Sequence, residues 1–275
     1  MTLVWRPDYN GTPGKVTLAK EFTVQDYMWS FPQQYGLWSP AEITTALWLD
    51  AADESTITAS SGRISQWSDK SGNGRNATQA TGAQQPKITT AAQNSRSVVE
   101  FDPVSDSFQR LSFSRLVNLG HVFFVAKKND IDESQIILTD GSGDDLRGVS
   151  LGADAGSNFV VQQIAGSLST ATRNNWHIAE VRTDGTNASL GIDATRTTSA
   201  DVDVMSSSDI GWYKNGNTLA RNQYSFRGQI GEIILSTTAL GDSTRQKVEG
   251  YLAHKWGLTA NLSSDHPYKL VGPTP

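Results

Sequence analysis

The sequence predicts an all-β fold: a sandwich or barrel of short strands with one helix on its C-terminal side and an extended N-terminal arm. Three observations lead there. Short apolar segments recur roughly every ten to fifteen residues, a spacing that favours a sandwich or barrel over βαβ units. The 24 glycines, with many Ser, Thr and Asn residues, supply tight turns. A single late segment carries a full set of helix signals, and it directly follows an apolar strand.

Residues 1–40 read as the arm. They hold Trp5, Tyr9, Phe22, Tyr27, Trp29, Phe31, Tyr35 and Trp38, interrupted by Pro7, Pro13, Pro32 and Pro40. A disordered tail is poor in aromatics, so this segment is expected to order against something. The candidates are its own sandwich and, since aromatics are enriched at interfaces, another chain.

The sandwich is expected over residues 41–260. Its first strand is Ala46–Asp50 and its second Arg63–Ser68, followed by the turn-rich loop Asp69–Asn76. Val98–Asp102 and Arg110–Phe113 come next. His121–Ala126 lacks alternation and is expected to be buried on both faces. Further strands are read at Gln135–Thr139, Arg147–Leu151, Asn158–Gln162, Trp176–Arg182, Ser189–Ile192 and Ile210–Tyr213. The last strand is Gly228–Ser236, with apolar residues at 230, 233, 234 and 235.

A helix over 243–256 follows. Ser243 and Gln246 have capping-box spacing, and Asp242 suits the positive helix start. Val248, Tyr251, Leu252 and Trp256 share one face and are read as core. His254 and Lys255 occupy the last turn, and Gly257 offers a left-handed C-cap. Residues 261–275 are expected to form an extended tail.

Composition narrows the function classes. At 275 residues the chain can bury a full core without covalent staples. It has no cysteine, which excludes disulfides and thiolate metal sites. Its net charge is −5 with the signs mixed and no basic stripe, so no nucleic-acid partner is expected. The first residues lack secretory signal regions, and no apolar run has membrane-span length. Synthesis in the cytoplasm, without membrane insertion, is the expectation.

Three stretches carry a resemblance. Leu47-Trp48-Leu49-Asp50-Ala51-Ala52-Asp53, the segment Ile64–Thr78 and the closing strand–helix unit occur in this order in laminin-G-like, or concanavalin A-like, domains. The ending Tyr251-Leu252-Ala253-His254-Lys255-Trp256-Gly257-Leu258, with Asp265-His266-Pro267-Tyr268, resembles a variant found in tailed-bacteriophage structural proteins and large environmental surface proteins. The resemblance covers about residues 45–270 and implies a jelly roll of two curved antiparallel sheets. The sequence departs from it at Gly231, where relatives often carry an acidic residue before the glutamate.

Six patterns offer candidate chemistry. Glu100-Phe101-Asp102 is the nearest match to the alternating carboxylates of concanavalin A-like glucanases, but a third carboxylate is missing, and a solvated strand end explains the pair. Gly148-Val149-Ser150-Leu151-Gly152 matches a nucleophile-elbow pattern without the helix it requires. The histidines at 121, 177, 254 and 266 have no metal-ligand spacing, and Gly72-Asn73-Gly74 lacks a Rossmann context. Calcium, which laminin-G-like domains often bind at a sheet rim, could find hard oxygens on Asp69, Ser71 and Asn73, or on Asp140, Ser142, Asp144 and Asp145. The same residues are equally the material of Asx turns. A carbohydrate platform is read at Trp212 and Tyr213 with Asn215 and Asn217, with Trp67 as a second candidate; core packing is the competing account.

The functional expectation is a non-enzymatic structural protein of a tailed-phage virion, either capsid-decorating or tail-associated. It would use no cofactor, calcium aside, and would occur as a homo-oligomer or in many copies beside other virion proteins. The alternatives are a carbohydrate-binding adhesin or receptor-binding tail-fibre module on a host-surface glycan, and then a glycan-active hydrolase.

Overall fold

The computed structural model describes residues 38–102, 108–129, 137–139, 159–160, 167–168, 174–183, 188–199, 205–211 and 226–275. The strands are β1 (Leu47–Asp50), β2 (Ile57–Ser60), β3 (Arg63–Trp67), β4 (Ala77–Thr78), β5 (Lys87–Gln93), β6 (Arg96–Phe101), β7 (Leu111–Leu119) and β8 (His121–Lys128). They continue with β9 (Leu138–Thr139), β10 (Phe159–Val160), β11 (Ser167–Leu168), β12 (Trp176–Thr183), β13 (Ala188–Ile192), β14 (Thr195–Ser199), β15 (Met205–Ile210) and β16 (Gly228–Ser236). The α-helix, α1, spans Asp242–Trp256.

All strands but β10 and β11 join one antiparallel sheet, in the order β14-β13-β12-β8-β16-β6-β5-β3-β4-β7-β15-β9. β1 also pairs with β16, and β2 with β3. Strands from both halves of this path share one apolar cluster. Trp67 and Ile64 of β3 and Leu111 and Phe113 of β7 sit with Val122 and Phe124 of β8 and Ile233 and Leu235 of β16. Only a sheet curled over on itself can bring them together. The fold is therefore an antiparallel jelly-roll sandwich whose two walls are continuous, joined at a narrow corner where β3 meets β5 at the single pair Arg63 and Lys87.

β8 is buried along nearly its whole length, as its unalternating sequence requires. One face looks inward, and the other meets a second cluster outside the curled sheet. There Phe123, Val125, Trp176, Ile178 and Ile234 pack beneath Val248, Leu252, Ala253 and Trp256 of α1.

Three features differ from expectation. First, α1 begins at Asp242 with Gly241 as N-cap, and no side chain caps it. The Arg245 amide already bonds to Gly241 O, so Ser243 lies inside the first turn and the Ser243–Gln246 box cannot form. The other end is as read: Gly257 adopts φ 69° and its amide bonds to Ala253 O. Second, residues 258–273 do not extend away. Leu262 and His266 are buried, and the Cα of Gly250 on α1 leaves room for Tyr268, which a β-carbon would meet at 2.5 Å. Third, Trp38 belongs to the sandwich and not to an arm. It lies buried in the outer cluster, edge-on to Tyr251 at 6.0 Å, and its amide bonds to Pro273 O. The other arm aromatics, from Trp5 to Tyr35, lie outside the described residues.

Candidate functional site

The loop 69–76 was a candidate for calcium. Asp69 dominates it, and its carboxylate is fully occupied. Oδ1 accepts from the amides of Trp48 (3.0 Å) and Ser71 (2.9 Å), and Oδ2 from the Ser71 hydroxyl (2.7 Å) and the Arg75 amide (3.0 Å). Two donors on each oxygen fill the lone pairs a cation would use. Asn73 turns its amide nitrogen to Thr45 O and Ala46 O, while Arg75 reaches Ala46 O and the Lys70 amide reaches Trp48 O. The loop thus covers the edge of β1 that faces away from β16, doing with side chains what a neighbouring strand would do. Gly72 and Gly74, at φ 84° and 69°, permit the turns. The Asx-turn account describes Asp69, Ser71 and Asn73 as they stand.

Trp67 has no solvent exposure and sits within the inner cluster. It is core and cannot serve as a carbohydrate platform. Trp212, Tyr213, Asn215 and Asn217 lie outside the described residues, as do Asp140, Ser142, Asp144, Asp145 and Ser150. Glu100 accepts hydrogen bonds from Thr89 (2.7 Å) and Gln229 (2.9 Å). Burial opposes its charge, but these two donors and the lysines at 87 and 127 hold its carboxyl below the usual range. That suits a held anion better than a general acid, which needs a raised value.

The densest chemistry lies where the sequence was read only as packing, between β1, β16 and α1. Strand β16 carries a bulge between Ile230 and Glu232 opposite β8. Ile230 faces the interior; in a regular strand Glu232, two residues on, would do the same. The extra residue, Gly231, turns Glu232 to the helix side instead. Gly231 also lets the Trp256 ring come close, since a β-carbon there would sit 2.8 Å from it. Its carbonyl accepts the Ala51 amide.

Glu232 is fully buried and meets four donors. Oε1 takes Trp48 Nε1 (2.8 Å) and the Tyr251 hydroxyl (3.0 Å); Oε2 takes Trp256 Nε1 (2.8 Å) and Lys255 Nζ (2.7 Å). Asp50 stands directly opposite on β1. Its Oδ1 receives Lys255 Nζ at 2.6 Å and its Oδ2 receives Lys70 Nζ at 2.9 Å. Lys70 also reaches Asp53 at 2.8 Å and lies over the Trp48 ring. Burial pushes the Glu232 carboxyl above its usual range, against the pull of Lys255. Burial and the two carboxylates keep the Tyr251 phenol protonated.

A second buried network lies farther along the same face. Arg196 of β14 bridges Glu180 (2.5 Å) and Glu249 (3.3 Å), and Glu249 also binds Arg245 (2.6 Å) and His266 (3.0 Å). His121 stacks on Phe123 with Nε2 a long 3.4 Å from Glu180. Burial holds the His121 imidazole below its ordinary value. Burial also works against charge on Glu180, but His121, Arg196 and Arg245 prevail and keep its carboxyl low. Among the described residues no group of three His, Cys, Asp or Glu side chains could hold a metal ion. No helix among them is long and apolar enough to cross a membrane.

No family model matches the chain, and no curated protein matches it. Among solved structures it is similar to a Trypanosoma rangeli sialidase in complex with sialic acid, at 12% identity and TM-score 0.45, over 83% of this chain and 38% of that one. It is also similar to the botulinum neurotoxin serotype D binding domain, at 12% identity and TM-score 0.47, over 75% of this chain and 50% of that one. The chain thus spans between about a third and a half of the length of the proteins it matches.

Proposed function

We propose that this protein is a non-enzymatic structural module of a tailed-phage virion, present in many copies beside other virion proteins, with the jelly roll as its frame. The observation that carries the reading is where the charged residues of the familiar segments lie. Asp50, Asp69, Glu232 and Lys255 join β1, its covering loop, β16 and α1 to one another. Such a pattern suits a domain kept for its shape and durability. The aromatic residues at 5–35 fit a segment that docks on a neighbouring subunit.

Two measurements test the reading together. The protein should be found by mass spectrometry in purified intact virions at a stoichiometry of many copies per particle. A glycan array and a polysaccharide panel, probed with the isolated protein, should show no product release. Absence from the virion with selective glycan retention would replace this reading with an adhesin. Release of sugar, abolished by Glu100→Gln, would replace it with a hydrolase.

A further inference from the structure

Lys255 Nζ is held between two carboxylates, 2.6 Å from Asp50 Oδ1 and 2.7 Å from Glu232 Oε2. The three side chains come from three elements, and their exposures are 12%, 5% and 0%. Trp48, Trp256 and Tyr251 wall them in. An amine pressed against one carboxyl in a nearly dry aromatic pocket, with a second carboxyl touching the same nitrogen, is what direct amide formation requires. We propose that Lys255 and Asp50 condense into an intramolecular isopeptide bond, with Glu232 relaying the protons.

Each side chain has a part in the step. The Ala52 amide lies on Asp50 Oδ1 at 3.1 Å, and Lys70 Nζ lies on Oδ2 at 2.9 Å. These donors polarise the Asp50 carboxyl and steady the negative charge that builds on its oxygens as nitrogen adds. Glu232 is suited to relay because indole N–H groups on both oxygens fix it beside the amine. Its burial favours the protonated acid, so it can accept a proton from the Lys255 ammonium and leave a neutral nucleophile. The nitrogen then bonds to the Asp50 side-chain carbonyl carbon. Glu232 returns its proton to the departing Asp50 oxygen, and the second nitrogen proton follows. One C–N bond forms and one C–O bond breaks. Ammonium and carboxylate become one amide and one water, and no other reactant enters.

The decisive experiment is the intact mass of the purified full-length protein, measured after denaturation removes ionic contacts. The expected mass is that of the sequence less one water. Proteolysis should yield one branched peptide joining the segments around residues 50 and 255. Lys255→Arg keeps the charge but cannot form the bond, and Asp50→Ala removes the acyl group; each should show its full sequence mass. A wild-type chain at full sequence mass, folded by circular dichroism, overturns the proposal and leaves an ordinary ion pair. A water loss with no branched peptide, or with one joining Lys70 to Asp50, overturns it as well. Because the wild-type mass decides, the test does not depend on any variant folding.

Discussion

At the scale of single residues, Gly231 and Glu232 depend on each other. The glycine is the bulge that turns the glutamate out of the interior, and its missing side chain admits the Trp256 ring. Gly231→Ala should cost roughly 1–3 kcal/mol, the range for overfilling a packed site, read as a lowered denaturant midpoint. Glu232→Ala should cost about 3–5 kcal/mol, because it leaves two indole donors and the Tyr251 hydroxyl buried without their acceptor and takes from Lys255 one of its two carboxylates. A cost below about 1 kcal/mol in equilibrium unfolding would instead mark a surface-like position and contradict the network. The sequence contains a trace of this. A glutamate within the apolar run Ile230–Leu235 and a lysine beside Trp256 are both out of pattern, and read together they point at each other. The bulge that joins them leaves no such trace, since Gly231 alone is compatible with a regular strand.

At the scale of elements, α1 and the closing strand were legible because each carries a complete local signal: an apolar run, a single buried face and a glycine C-cap. Three hairpins escaped. β2–β3 turns at Ser61-Gly62, β5–β6 at Asn94-Ser95 and β13–β14 at Asp193-Ala194, with both central residues at positive φ in each. None is an Asn-Gly or Asp-Gly pair, the usual mark of such turns. Their outer strands, such as Thr195–Ser199, are polar and lack alternation. The candidate ligand loop was equally ambiguous, because Asp69, Ser71 and Asn73 carry the same chemistry whether they hold a cation or their own backbone.

The packing of α1 makes two predictions. Trp256, stacked on Trp176 at 6.4 Å and fully buried, should cost about 3–5 kcal/mol when changed to alanine, measured by equilibrium denaturation. His121 should make stability depend on pH. Its folded-state value lies below the ordinary one, so the unfolded chain binds more protons as the medium is acidified. Its contribution is therefore full above about pH 6.5, the ordinary histidine value, and is lost as pH falls below it. Urea midpoints should decline over that interval, and His121→Phe should flatten the decline.

At the scale of the whole molecule, Trp38 marks where the frame begins. A chain starting at residue 38 should fold with wild-type stability, whereas one starting at residue 39 should lose part of the outer cluster. Differential scanning calorimetry of the two would show the difference as a lower Tm for the shorter chain. If the chain starting at residue 38 also fails to fold, residues 1–37 contribute to the frame itself.

Strand β16 also sets the order in which the molecule can be assembled. It is β1's partner, and β6 and β8 pair with it as well, yet it is made after all the other described strands. While residues 1–227 emerge from the ribosome, β1 waits for a neighbour about 180 residues downstream, and β8 has only β12 to pair with. A topology dominated by such distant pairings folds slowly, and its unfinished forms expose apolar edges. Nascent chains stalled before residue 228 should therefore remain protease-sensitive and bind chaperones. Once α1 has cleared the exit tunnel, the frame should become resistant in a single step.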